Sequence, residues 1–303
     1  GRAHEWVAPP AAVQAVAALC DAEVEGLRAR SPALRFRPGR LRGGHYRFDV
    51  GTAGSLTLVL QAVMPVAVMC DAPVNLVLTG GTDVRAAPPL DYLRYVFLPL
   101  LAQAGVNATL TLRRRGYYPR GGGEIEVQVQ PGRPRPIHLT QPRPVTALRG
   151  MAHVANLPWH IVERMQRTAA QTLSDIAPVH IETDMVAPAQ AHGQGGAIVL
   201  WAEARDRFVG GATVAERGVP AERIALNAAL ALRAEIDAGT TVDVHAADQI
   251  LIYLALARGT SEFLVRSVSS HAATTLWLLR QFFPLDVRTT AQGGHAHLVL
   301  SRP

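Results

Sequence analysis

The sequence predicts an α/β (α+β) protein built from repeated βαβαββ units, with a small βαββα domain inserted before the last unit and the first unit incomplete. Three observations predict it. Segments 45–130 and 241–300 run through the same order of strand-like and helix-like stretches with little residue identity. The stretch 144–238 carries eight arginines against ten acids, while the rest of the chain carries 22 against 14. Such a charge break marks a separate small domain. The opening stretch also looks like the second helix and next strand of an earlier copy whose first half is absent.

The elements follow in order. "PPAAVQAVAALCDAEVEGL" reads as a late helix of an earlier, partial copy, and "PALRFRPG" as its next strand. The first full copy has strand "HYRFDV", helix "GSLTLVLQAVMPVAVM", strand "VNLVLT", helix "PPLDYLRYVFLPLLAQ", and strands "NATLTLRR" and "GEIEVQVQ". The insert has strand "TALRGMAHVA", helix "WHIVERMQRTAAQTLSDI", strands "VHIETDMV" and "GAIVLWAEA", and helix "AERIALNAALALRAEI", with "APAQAHGQGGA" as a loop. The last copy has strand "TVDV", helix "ADQILIYLALA", strand "SEFLVRSV", helix "SHAATTLWLLRQFF", and strands "LDVRTT" and "HAHLVL". The expected division is 1–143 for the first part of the body, 144–238 for the insert and 239–303 for the last repeat.

Composition narrows the function. With 303 residues, 49% of them hydrophobic, the chain can bury one large core or two moderate ones. No uninterrupted apolar run is long enough to cross a membrane, so no membrane partner is expected. No signal peptide is visible in "GRAHEWVAPP". Cys20 and Cys70 lack CxxC spacing and read as small buried hydrophobes in a reducing, cytoplasmic setting. All 30 basic residues are arginine. That excludes a Walker P-loop, a lysine Schiff base and a lysine–AMP intermediate. Phosphate must be held by arginine forks and backbone amides. The basic body, with arginines crowded at 28–47 and 113–120, points either to a polyanionic partner or to a solvated basic face.

Several stretches carry chemistry. "GYYPRGGGEIEV" is either a tight hairpin or an amide nest for phosphate beside Arg120. "LTGGTDVRAAPPLDYL" ends a strand and opens a helix near Pro88 and Pro89, and "DVGTAGSLTLVLQ" has a similar shape, leading to Gln61. "VHAADQILIYLALA" places Asp248 and Gln249 in the first turns of an apolar helix, with His245 at an expected cap. "RSVSSHAATTLWLLRQFF" places His271 just after Ser269 and Ser270, two N-cap candidates, with apolar residues at 276, 278, 279, 282 and 283 expected on one face. A neutral imidazole at a helix start is a good nucleophile toward phosphorus, and the helix amides there favour an attacked phosphate.

Together, "FRPGRLRGGHYRFDVGTAGSLTLVLQ", "GGTDVRAAPPLDYL", "GYYPRGGGEIEV", "HAADQ" and "SSHAATT", in this order, resemble the RNA 3′-terminal phosphate cyclase family over almost the whole chain. The resemblance implies a body of βαβαββ units similar to the C-terminal domain of translation initiation factor three. It implies ATP and a divalent metal, Mg2+ or Mn2+, as cofactors and an RNA 3′-phosphate end as partner and substrate. It implies conversion of that end to a 2′,3′-cyclic phosphate through histidyl–AMP and RNA-adenylate intermediates. His271 matches the nucleophile, while Gln61, Pro88, His245, Asp248 and Gln249 match nucleotide-site positions. Arg2 and Arg42 are expected, on charge, to hold RNA phosphate. Tyr118 and the triglycine lie in a matched motif without an assigned role.

The family normally opens with a glycine-rich start carrying an acidic residue associated with metal-bound ATP, and "GRAHEWVAPP" follows it in the family order: either the sequence is truncated there or this member works without that segment. "EWVAPPAA" and Thr275 also depart from the family pattern. Two other readings belong to different classes. One is a noncatalytic cyclase-like assembly factor that binds RNA, against which His271 argues. The other is an enolpyruvyl-type transferase, against which the missing lysines argue.

Overall fold

The computed structural model describes residues 9–28, 31–51 and 54–303. It is a mixed α/β structure with several small sheets, an α+β fold. In chain order the elements begin with α1 (Pro9–Leu19), β1 (Glu23–Glu25), β2 (Arg35–Arg37), β3 (Gly44–Asp49), α2 (Leu56–Ala67) and β4 (Val74–Gly80). A helical run follows: α3 (Leu90–Tyr92), a π turn (Leu93–Phe97) and α4 (Leu98–Gln103). Next come β5 (Ala108–Arg114), β6 (Gly123–Val129), β7 (His138–Leu139), β8 (Ala147–Ala155), α5 (His160–Leu173) and β9 (Val179–Val186). The chain continues with β10 (Gly195–Glu203), β11 (Gly210–Val214), α6 (Ala221–Asp237) and α7 (Val244–Leu256). It ends with β12 (Gly259–Val265), α8 (Ser270–Leu279), β13 (Asp286–Gln292) and β14 (His295–Arg302).

Two compact units divide the chain. One comprises residues 1–90, 107–132 and 187–194, and the other 91–106, 133–186 and 195–303.

In the first unit, β3 and β4 are parallel, as a helical crossover demands, and β6 pairs antiparallel with both β4 and β5. Alternation sets the buried face: Val74, Leu76 and Leu78 of β4 meet Ile125, Val127 and Val129 of β6. The apolar spacing of α2 buries Leu56, Val59, Leu60, Val63 and Met64. Ser55 caps α2 by accepting from the Leu58 N–H. The "PALRFRPG" strand forms only a short antiparallel pair with β1. Cys20 and Cys70 are both buried and free.

In the second unit, β12 pairs antiparallel with β14, which pairs antiparallel with β13, and β7 runs parallel to β12. This order and sense match those of β3-β4-β6-β5 in the first unit. The parallel partner is not the expected "TVDV". There, Val242 makes only a single bridge, to Phe208. Thr241 wedges between two strands, its hydroxyl donating to Leu139 O (2.6 Å) and accepting from Leu264 N (2.9 Å). Asp243 caps α7 instead of continuing a strand. Short polar side chains that bond nearby backbone often win such a contest. Two β residues before the stretch 144–238, His138 and Leu139, fill the strand position.

The second unit also holds the sheet β11-β10-β8-β9, with a core in which Leu148, Val154, Ile198 and Leu200 meet Val162, Met165, Ala228 and Leu232 of α5 and α6. Its strand β11 was not expected from the sequence. Gly210 and Gly211 give that strand little β character but allow two close approaches. A Cβ on Gly211 would lie 2.2 Å from Ala228 O and 2.7 Å from Leu232 N, both backbone atoms of α6. Gly211→Ala must therefore push α6 off the sheet, at a cost of about 1–3 kcal/mol. A thermal melt should show this loss, whereas Gly218→Ala, in open space but at φ 84°, should show only backbone strain.

Candidate active site

Two sets of motif residues assemble, one in each unit. In the second unit, Asp243 is buried at the N-terminus of α7. Its Oδ1 accepts from the His245 and Ala246 N–H groups, both at 2.9 Å, and from the Tyr92 hydroxyl at 2.6 Å. Its Oδ2 accepts from Gly210 N at 2.9 Å. Burial pushes this carboxyl up from the usual carboxylate range, and the Tyr92 hydrogen bond pulls against it. Burial, then the Asp243 charge, drives the Tyr92 phenol well above its ordinary value, so it keeps its proton and donates. The cap of α7 is therefore Asp243 and not His245, because a carboxylate accepts the first free N–H groups of the helix. His245 stands exposed inside the first turn, where its carbonyl accepts from Gln249 Nε2 at 3.2 Å.

One turn further, Asp248 faces α8. Ser269 Oγ donates to Asp248 Oδ1 at 2.6 Å and accepts from Ala272 N at 2.9 Å. One hydroxyl therefore caps α8 and ties it to α7, which packs against it. His271 is the second residue of α8 and exposed. The expected single apolar face of α8 is narrower than spacing suggested. Ala272, Leu276 and Leu279 are buried, while Leu278 (49% exposed) points away because it lies off the 272/276/279 line, and Phe282 (73%) lies beyond the helix end. Ser269→Ala should cost about 1–2 kcal/mol through the lost cap and the stranded Asp248 contact. Ser269→Thr should restore most of it, which a pair of denaturant titrations will read.

In the first unit the glycine motifs converge. Gly81 N donates to Gly54 O at 2.7 Å, and Leu56 N to Gly81 O at 2.9 Å. Thr57 Oγ1 donates to Pro88 O at 2.9 Å, joining the start of the helix that carries Gln61 to the loop before Leu90. Gln61 itself is half-buried. Thr82 N donates to Gly116 O at 2.8 Å, and Gly116 N returns to Thr82 Oγ1 at 3.0 Å. A Cβ on Gly116 would fall 2.3 Å from Gly80 O, so only glycine allows this contact. Beneath it, Arg115 Nη1 meets Asp83 Oδ2 at 3.2 Å, both side chains almost fully buried.

Gly121 (φ 61°) and Gly122 (φ 71°) take left-handed backbone, and Arg114 Nε donates to Gly122 O at 2.6 Å. The "APAQAHGQ" loop, expected to belong to the insert, docks here. Arg115 N donates to Gln190 O (2.9 Å) and Arg120 Nη1 to His192 O (3.2 Å). No local sequence signal announces that pairing.

Of the arginines expected to hold phosphate, Arg2 lies outside the described residues. Arg42 is exposed and paired with Asp21 at 3.2 Å. Its neighbours are paired likewise: Arg35 with Glu25, Arg37 with Glu23, Arg40 with Asp71 and Arg47 with Glu124. The Gly43 N–H and then the Arg40 charge hold the exposed Asp71 carboxyl below its usual range. Exposed pairs of this kind contribute only ~0–1 kcal/mol each. Among the described residues, no three His, Cys, Asp or Glu side chains gather as a metal-ligand set. No helix is long and apolar enough to cross a membrane among those residues.

Comparison with known proteins follows the same line. A family model described as RNA 3′-terminal phosphate cyclase matches residues 10–289. A protein of Nitrosospira multiformis named RNA 3′-terminal phosphate cyclase is 50% identical over 304 residues, covering 99% of this chain and 85% of that one. Proteins of the same name from Pyrobaculum neutrophilum and Korarchaeum cryptofilum are 39% and 40% identical, each covering 93% of this chain and 81% and 80% of their own length.

Proposed function

The chain belongs to the RNA 3′-terminal phosphate cyclase family, and from that premise we propose that it uses ATP to convert an RNA 3′-phosphate end to a 2′,3′-cyclic phosphate. The observation that carries this reading is the Asp248–Ser269 hydrogen bond at the N-terminus of α8, which fixes the turn presenting His271 in a chain with no lysine. An imidazole nitrogen of His271 attacks the α-phosphorus of ATP, a P–N bond forms, and pyrophosphate leaves. An oxygen of the RNA 3′-phosphate then displaces the histidine, giving an RNA-adenylate. The vicinal 2′-hydroxyl attacks the 3′-phosphorus, loses its proton and expels AMP.

The chain's own residues divide this work. The free N–H groups at the start of α8 favour the charge that develops on phosphate beside His271. Asp248 acts through Ser269 as a positioning residue. Gln61, Pro88, His245 and Gln249 are assigned to nucleotide binding. Arg42 gives up Asp21 for an RNA phosphate, and Arg2 is assigned the same role. Magnesium or manganese would be held largely by nucleotide phosphates, as Mg2+ commonly is. The described side chains offer no ligand set of three His, Cys, Asp or Glu groups for it. We also read the body as repeated βαβαββ units similar to the C-terminal domain of translation initiation factor three. Residues 144–238 are read as an inserted domain between 1–143 and 239–303, and the setting as cytoplasmic.

The test is an end-conversion assay. A single-stranded RNA ending in a 3′-phosphate should become resistant to phosphatase only when ATP and a divalent metal are present. The same RNA with a 3′-hydroxyl should not react. Affinity should fall with salt at roughly 0.7 log units per log unit for each phosphate neutralised. RNA binding without ATP-dependent conversion would overturn the enzymatic reading in favour of a noncatalytic RNA-binding role.

A further inference from the structure

The sheet β11-β10-β8-β9 has a second face, opposite α5 and α6. Strand register puts Trp201, Arg149 and His180 in one row across it, with Val199, Met151 and Glu182 in the next. Part of this face is covered by the helical run 91–103. There Tyr95 stacks on Trp201, with centroids 4.5 Å apart and planes 5° apart, and Arg94 lies 5.2 Å from the Tyr95 ring centroid. Gly210 opens the way for that helix, since a Cβ would meet Val96 at 2.7 Å. The cover stops short of β9, leaving a hollow of about 310 Å3 lined on this face by Trp201, Arg149, His180 and Glu182 and, around the β9 edge, by Gln166 of α5, whose Nε2 donates to Ile181 O at 2.8 Å. That volume sits at the lower end of ~300–1,000 Å3 ligand sites.

We propose that this cavity takes one unpaired base of the RNA substrate, stacked against Trp201 and Arg149 and read at its edge by His180 and Glu182. The inference rests on the cyclase reading for its ligand, but names a contact away from the reacting end. The chemistry selects a base over a phosphate. The lining holds one guanidinium, Arg149, and one carboxylate, Glu182, and Arg149 Nε already donates to Glu203 Oε2 at 2.8 Å. A phosphate would meet the Glu182 charge and a guanidinium already paired, whereas a base presents exocyclic amino groups that a carboxylate accepts. The Glu203 bond orients the guanidinium beside Trp201, and aromatic and arginine planes are what unstacked RNA bases lie on. Tyr95 locks the indole from behind, so the shelf is formed before the base arrives.

The test uses the whole chain and a 12-nucleotide single-stranded RNA carrying 5-iodouridine and a 3′-phosphate. Irradiation should place an adduct on the peptide containing Trp201. Trp201→Ala should weaken binding of this RNA by about tenfold, with the salt slope unchanged because no phosphate contact is lost. Trp201→Phe keeps a ring against Tyr95 and should recover much of the affinity, which separates a lost shelf from a damaged fold. The same RNA in a duplex should not label Trp201. Labelling confined to other peptides, or equal affinity of Trp201→Ala and the unaltered protein, overturns the proposal. Failure of cyclisation alone, with Trp201 still labelled, would count against the enzymatic reading and leave this site standing.

Discussion

His271→Ala should lose covalent nucleotide labelling altogether and slow end conversion by about 10^4-fold or more, the scale seen when a nucleophile is deleted. The phosphoramidate expected at this imidazole sets a chemical signature. Label from α-labelled ATP should come off in acid and survive base, opposite to a serine ester. His271→Asn should fail equally, because an amide keeps polarity but does not attack phosphorus. Asp248→Ala should still fold and still label, only more slowly, since Asp248 reaches His271 through Ser269 and the first turn of α8. Labelling that persists in His271→Ala would remove the histidine from the mechanism. The chain contains eleven histidines, so mapping the labelled peptide is part of the experiment.

The periodic elements were legible because burial alone dictates them. The alternation of "VNLVLTG" and the helical spacing of "LTLVLQAVMPVA" each allow one orientation toward a core. Short or glycine-rich elements were not. His138 and Leu139 are too few to show a period, and β11 begins with two glycines whose value lies in what packs against them. "TVDV" looked like a strand because valine and threonine favour strands locally. It is not one because Asp243 finds better partners in Tyr92 and Gly210, 151 and 33 residues away in sequence.

The site divides in the same way. Ser269 was readable as a cap from its place before an apolar helix, but its second partner, Asp248, is 21 residues back on another helix. The crowding of arginine at 28–47 was readable as charge. That its members are held by Glu23, Glu25, Asp21 and Asp71 required the fold. The docking of Gln190 and His192 on the triglycine turn joins residues more than 70 positions apart, and nothing local in "APAQAHGQ" encodes it.

Arg115→Ala should be among the most damaging changes away from His271. The Arg115 and Asp83 side chains are 5% and 0% exposed and meet at 3.2 Å beneath the converging glycine loops. Removing one partner of a buried pair leaves a charge in a place that cannot solvate it, at a cost of about 3–5 kcal/mol. The melting temperature should fall on the order of 10 °C. The lesion should spread locally, because Asp83 Oδ2 also accepts from Thr82 Oγ1 at 2.7 Å, the hydroxyl that receives Gly116 N. Loosening there frees the seam between the "GGTD" and "GYYPRGGG" turns, and protease should cut first near them or near the docked 187–194 loop. The double change Arg115→Met with Asp83→Leu removes both charges while filling the space. It should be markedly more stable than Arg115→Ala, because most of the penalty is the stranded carboxylate and not the lost attraction. Equal melting temperatures for Arg115→Ala and the unaltered protein would show that Asp83 draws no stability from this pair.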